Sequence, residues 1–279
     1  MIEATPPTLD ALRQEIDKID GKIHALIRAR AKVVTHVAKA KAVASGGAPA
    51  PAFRAAREAQ VLRALTERHD GPFPMASLVR IWREMMSGMT KIQQDIVVAA
   101  YKPEKGDATG WDIARDHFGL GMTYLPVGRA RDVVVAVRDG QAGIGVLPAP
   151  GEEDGEEPWW PTLASDSANL PRIVLKLPAL TSASQQSSRG QVALILPGPE
   201  PEEADAHYLA IEAGQGSSRE CVAAALSAAG VVTGPLLSSP DAFGIYLAEV
   251  ISGWTGAVSD TSIRHVTPIG GYPFAINID

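Results

Sequence analysis

Residues 9–43 read LDALRQEIDKIDGKIHALIRARAKVVTHVAKAKAV and decide how the first third of the chain folds. The stretch holds no Pro and one Gly, Gly21, and its apolar residues Leu9, Leu12, Ile16, Ile19, Ile23, Leu26, Val33 and Val37 recur with helical spacing. This predicts one helix from Leu9 to about Val43 with a narrow apolar seam. At 1.5 Å per residue it is roughly 50 Å long, more than the diameter of a compact 100-residue domain, so the seam needs a partner chain to cover it.

One slot of the seam is occupied by a cation. The series 9, 12, 16, 19, 23, 26 continues to position 30, which is Arg30. Lys41, eleven residues on, lies about 20° away around the helix and shares that face. Arg13 is about 100° off, so one straight helix does not aim Arg13 and Arg30 at one ligand, whereas two copies of the helix do.

Two further helices follow. After a Ser/Gly/Ala/Pro break at Ala44–Pro51, Arg54–Arg68 reads as a helix ended by Asp70-Gly71-Pro72. A third, from about Pro74 to Val98, carries Leu78, Trp82, Met85, Met89, Ile92 and Ile96 at spacings of 3 and 4. Buried cations need anions, and the acidic residue best placed on an apolar face here is Glu58. One carboxylate does not balance Arg13, Arg30, Lys41 and Arg57. Either these cations lie on the surface, or the bundle holds an anion with more than one carboxylate or phosphate. Gln93 flanks the seam of the third helix, either as a donor to a ligand oxygen or as a surface amide at a helix end.

The whole chain has 279 residues, 46% hydrophobic and 21% charged, with net charge -6 and mean hydropathy +0.01. This is a globular profile with room for two domains or three small ones. Residues 1–100 carry 15 Lys/Arg against 10 Asp/Glu, and residues 101–279 carry 11 against 22. A cationic first region suits an anionic ligand, and the acidic majority argues against nucleic acid. The single cysteine, Cys221, excludes a disulfide framework and reads as a packing residue. No apolar run approaches a membrane span, and Met1–Leu9 has no signal-peptide core, so a cytoplasmic protein is expected. The histidines show no metal-ligand spacing, and no phosphate-loop or dinucleotide fingerprint occurs, so no metal or cofactor is expected.

Beyond residue 96 the pattern changes to short β-like runs at Ile96–Ala100, Val133–Val137, Ile144–Leu147, Ile173–Leu177, Val192–Leu196, Tyr208–Glu212, Val231–Leu237 and Gly244–Ile251. Helical stretches interrupt them at Gly110–Phe118 and Ser218–Ala229. The acidic loop Gly151–Pro158 and the Ser/Gln-rich Thr181–Gly190 read as solvated linkers, the second marking a boundary between two modules.

The set Leu9-Asp10-Ala11-Leu12-Arg13, Ile16, Ile19-Asp20, Leu26, Arg30, Val37-Ala38-Lys39-Ala40-Lys41, Arg57-Glu58 and Gln93 resembles the all-helical class of chorismate mutases over residues 9–95. The resemblance implies an intertwined homodimer whose long first helices pair, and an isomerase converting chorismate to prephenate in aromatic amino acid biosynthesis. It assigns Arg30 and the other chain's Arg13 to the substrate carboxylates, Lys41 and Gln93 to the ether oxygen, and Glu58, supported by Arg57, to the ring hydroxyl. Two positions depart from the family: a short polar residue one turn before the Gln is here Met89, and an acidic residue before the Arg-Glu pair is here Arg54.

Residues 96–180 resemble a first lobe of prephenate dehydratase, through Gly110, Ala114-Arg115-Asp116-His117-Phe118-Gly119, Asp132-Val133, Gly140-Gln141-Ala142 and Gly145-Val146-Leu147-Pro148. The second lobe is expected to be missing. Where the family shows Thr-Arg-Phe, this chain has Gly190-Gln191-Val192, which implies a lost dehydratase. Residues 191–279 resemble a degenerate ACT domain, a βαββαβ regulatory fold, with Leu237-Ser238-Ser239-Pro240 in place of the phenylalanine-site Glu-Ser-Arg-Pro. The expected architecture is therefore multidomain: an all-α three-helix mutase domain at 1–98, an α/β dehydratase-like region at 99–188 and an α+β ACT-like domain at 189–279. A bifunctional mutase and dehydratase, or a non-catalytic regulatory protein that keeps the anion pocket, are the alternatives.

Overall fold

The computed structural model describes residues 7–44, 46, 52–106, 108–151, 158–165, 170–181, 190–195, 204–239 and 242–278. Most of the expected break at 44–51, the acidic run 152–157, the Ser/Gln-rich run 182–189 and Pro240 of the ACT-like motif lie outside these residues.

The first helix, α1, spans Leu9–Ala44 and buries none of its residues. Residues 7–29 are exposed throughout, and the first half-buried positions are Arg30, Ala31, Val34, Ala38 and Lys41. These recur at helical spacing and form the face that rests on the third helix, with which α1 makes contact. The seam itself stays open: Ile16 is 56% and Leu26 69% exposed.

Helices α2 (Ala55–Arg68) and α3 (Met75–Gln93) pack on each other and on the body of the chain. Phe53 and Ala55 enter a core with Val98, Phe118 and Leu175, and the Phe53 and Phe118 rings meet edge to face at 5.3 Å. Leu62, Val79 and Met86 close on Ile276 near the C-terminus. An ion pair between Arg63 and Asp205 and a 2.7 Å pair between Arg80 and Asp116 bridge the same junction. The expected third helix ends early: Gln94 is extended, and Val97–Tyr101 forms β1. Val98, Ala99 and Ala100 are fully buried. A strand covered on both faces is an unbroken apolar run, so Ile96 falls in helical register with Ile92 by coincidence.

Among the described residues the body is a ten-stranded sheet in the order β2 (Thr123–Val127), β1, β3 (Ile144–Pro148), β6 (Gln191–Ile195), β4 (Arg172–Leu177), β11 (Ile263–Tyr272), β7 (Ala206–Ala213), β10 (Ile245–Ser252) and β8 (Val232–Thr233), with β9 (Leu237–Ser238) also on β10. Its first part is β1, α4 (Thr109–Phe118), β2 (Thr123–Val127), α5 (Ala130–Arg138) and β3 (Ile144–Pro148), with parallel strands. Val98 and Ala100 face the α4 side and Ala99 the α5 side, so helices cover both faces. The strand expected at Val133–Val137 is α5 instead. Its buried residues Val133, Val134, Ala136 and Val137 make one helical face, and packing on the sheet overrides the β preference of valine. The unexpected β2 contains Pro126, tolerated because β2 is an edge strand.

β4 (Arg172–Leu177) and β6 (Gln191–Ile195) extend the sheet, β6 running antiparallel between β3 and β4. Strands from before and after the boundary expected at 188 are thus neighbours in one sheet. Beyond β4 come β11 (Ile263–Tyr272), β7 (Ala206–Ala213), β10 (Ile245–Ser252) and β8 (Val232–Thr233), all antiparallel among themselves, with α6 (Arg219–Ala228) between β7 and β8. Residues 253–262 form no helix, so the second helix of a βαββαβ unit is absent there. The single strand expected at Val231–Leu237 is two, β8 and β9 (Leu237–Ser238), because Gly234-Pro235 interrupts the ladder. A small parallel pair, β5 (Leu180–Thr181) with β12 (Ile276–Asn277), sits beside α2.

The two parts of the sheet meet where Gly270 of β11 pairs with Ile173 of β4. A Cβ at Gly270 would stand 2.2 Å from the Ile173 carbonyl oxygen and 2.5 Å from its nitrogen, both backbone atoms that do not yield. Gly270→Ala is therefore expected to destabilise the fold by at least ~2 kcal/mol, read as a lower denaturant midpoint. An unchanged midpoint would show that this junction does not need close backbone approach.

Candidate active site

The residues expected to hold a dicarboxylate are distributed over three helices. Arg30 and Lys41 lie on the α1 face turned to α3, both half-buried. The Arg30 Nη1 is buried with no hydrogen-bond partner among the described residues. A buried N–H left without an acceptor costs about 1–3 kcal/mol, so this nitrogen calls for an acceptor from a ligand or another chain. Gln93, at the last residue of α3, is half-buried and turns its amide back to donate to the Met89 carbonyl at 3.3 Å. Met89 is buried in the helix packing, and Arg54 sits at the N-cap position of α2.

Arg13 is not brought to this group. It is exposed, paired with Asp10 at 3.4 Å, and about 25 Å along α1 from Arg30 at 1.5 Å per residue. Arg57 is exposed and donates to Gln60 at 3.2 Å. Glu58 is half-buried and borders a small cavity with Arg83 and His117. Its charge acts on the Arg83 guanidinium, whose pKa burial lowers and the carboxylates of Glu58 and Asp116 raise.

Arg83 and His117 form a polar pair that the sequence reading did not single out. Arg83 Nη1 is 2.7 Å from His117 Nδ1. Burial, and then the Arg83 charge, hold the His117 imidazole well below its usual pKa, so the ring is neutral. The signal was the one that exposed Arg30: Arg83 stands four residues after Val79 and three before Met86, a cation in an apolar helical register. The described residues contain no group of acidic, His or Cys side chains able to hold a metal ion, and no helix among them is long and apolar enough to cross a membrane.

Residues 12–94 match the family described as chorismate mutase type II. Among curated relatives, the bifunctional chorismate mutase/prephenate dehydratase of Pseudomonas aeruginosa is 34% identical over 148 residues, which is 53% of this chain and 40% of that protein. That of Aquifex aeolicus is 33% identical over 147 residues, again 53% of this chain and 40% of the relative. The match thus spans about 40% of the length of these relatives. A solved prephenate dehydratase from Streptococcus mutans is 14% identical, covers 64% of this chain and 98% of its own, and has a TM-score of 0.44, too low to establish a shared fold. The helical segment built on α1, α2 and α3 is thus the part of the chain that is similar to the chorismate mutase type II family.

Proposed function

We propose that the protein is a chorismate mutase acting as a homodimer, with each site completed by Arg13 of the other chain. The observation that carries the reading is the buried, unpartnered Nη1 of Arg30 on a helix whose apolar seam is open over its whole first half. A second copy of α1 laid along the seam would cover Leu12, Ile16, Ile19 and Ile23 and bring a second arginine toward Arg30. The chain then offers two guanidinium groups for two carboxylates. Lys41 and Gln93 stand ready for the ether oxygen, and Glu58 with Arg57 for the ring hydroxyl. In this assignment Gln93 gives up its bond to Met89 when substrate enters.

Conversion of chorismate to prephenate breaks one C–O bond and forms one C–C bond within a single molecule. No proton, electron or leaving group is exchanged with the protein. The protein's contribution is to hold the diaxial conformer and to place donors where negative charge grows on the departing ether oxygen. Lysine and glutamine donors in a water-poor helical interface meet that need, and neither has to change protonation state.

The remainder of the chain is read as a dehydratase relic with an ACT-like end, at 99–188 and 189–279, in a cytoplasmic protein. Gly190 stands where the dehydratase pattern has its threonine, and hydrogen in place of a side chain has no proton to give. The test follows chorismate loss and phenylpyruvate formation with one purified sample. Chorismate is expected to disappear, prephenate to accumulate and phenylpyruvate to stay at the uncatalysed level. Phenylpyruvate formation would establish the bifunctional alternative, and no chorismate turnover would overturn the enzyme reading.

A further inference from the structure

A cavity of about 990 Å³ opens between α3, α4 and the sheet, away from the α1 residues assigned to chorismate. Arg83 and His117 stand at its wall, beside the apolar side chains of Ile113, Leu177, Ile251 and Phe274. The guanidinium is the donor in the 2.7 Å contact with His117, so Nδ1 accepts and the neutral ring carries its proton on Nε2. Three N–H groups are then left over: Nε and Nη2 of Arg83, and Nε2 of His117. All three atoms are buried and have no hydrogen-bond partner among the described residues. His117 itself is only 7% exposed.

The pattern is specific. Nε and Nη2 form the side edge of a guanidinium, the edge that meets both oxygens of a carboxylate in parallel. The cluster offers donors only and one net positive charge. Glu58 and Asp116 act on Arg83 through space, yet neither bonds these nitrogens, and Asp116 is held by Arg80 at 2.7 Å. Elsewhere on the cavity wall Glu249 is engaged by Lys176 and by the Tyr272 hydroxyl, so its charge is compensated, and the Asp112 carboxylate on α4 is exposed. Gly190 also borders the space and adds no reactive group. The site is built to bind and carries no nucleophile at its charged end.

We propose that this cavity binds a small organic monocarboxylate with an apolar body, its carboxylate on the Arg83 fork and the His117 Nε2–H. The cavity lies away from the α1 residues assigned to chorismate, while Glu58, assigned to the ring hydroxyl, stands beside Arg83, and Arg83 lies on the same helix as Gln93, so the occupant sits where it touches the mutase framework.

The test is calorimetric titration of the full chain with cyclohexanecarboxylate and with its uncharged counterpart cyclohexylmethanol. The acid is expected to bind about ten- to a hundredfold more tightly than the alcohol. Arg83→Met is expected to reduce acid binding to the alcohol's level, and His117→Phe to weaken it by about tenfold. Arg30→Met, which removes the mutase anion site, is expected to leave it unchanged. Equal binding of acid and alcohol by the unmodified protein overturns the proposal without recourse to any variant, as does no acid binding up to about 10 mM. Acid binding retained by a folded Arg83→Met, or lost in Arg30→Met, overturns it as well. Loss of chorismate turnover with these binding results intact would count against the mutase reading alone.

Discussion

Mixing separately purified Arg13→Ala and Lys41→Ala chains is expected to restore about one quarter of the unmodified turnover of chorismate. Each variant alone is expected to lose at least about a hundredfold in kcat/KM, the usual effect of removing one preorganised charged donor from a water-poor site. The recovery follows from the geometry of α1. Arg13 lies about 25 Å from Arg30 on the same helix and is exposed, so in the proposed dimer it is assigned to the site of the other chain. In a mixed dimer one site keeps both residues and the other loses both. Random exchange makes about half of the dimers mixed, and half of their sites intact, hence about a quarter. Mixing that leaves activity at the sum of the two variants would place Arg13 and Lys41 in the same chain's site, or Arg13 outside it.

Charging the seam is expected to have an equally large effect through assembly. Ile16 and Ile23 are 56% and 50% exposed in the single chain, and burying each against a second helix contributes roughly 1.5–3 kcal/mol. In the double variant Ile16→Asp with Ile23→Asp this gain is replaced by four carboxylates facing one another across the two-fold axis. Sedimentation is expected to show a 29.4 kDa species where the unmodified protein sediments at about twice that mass, with chorismate turnover reduced at least about a hundredfold. Residues 7–29 are exposed throughout, so the unfolding midpoint of the β-rich body should stay where it is. A dimer that survives both charges, or a fully active monomer, would refute the seam as the pairing surface.

Much of this is legible in the sequence. α1 announced itself by a 3-and-4 spacing free of Pro, and Arg30 by occupying a slot of that spacing. The strands at β3, β4, β6, β7 and β10 were found because each is a short apolar run bounded by turn residues. The failures share a cause. The valine-rich 133–137 segment has a β preference that helical packing on the sheet overrides, Ile96 sits in helical phase by accident, and β2 hides behind the proline that its edge position permits. In each, the deciding neighbour lies far away in the chain.

The same division holds for the sites. Local periodicity determined that α1 is a long amphipathic helix with a cation in its seam, because helix phase depends only on residues a few positions apart. Only the tertiary structure decided that Arg30 Nη1 is left without a partner, that Glu58 stands beside Arg83, and that Arg83 meets His117 at 2.7 Å across 34 residues of chain. Satisfaction of a buried polar group depends on every element packed around it, and that enclosure is a property of the folded chain rather than of any stretch of its sequence.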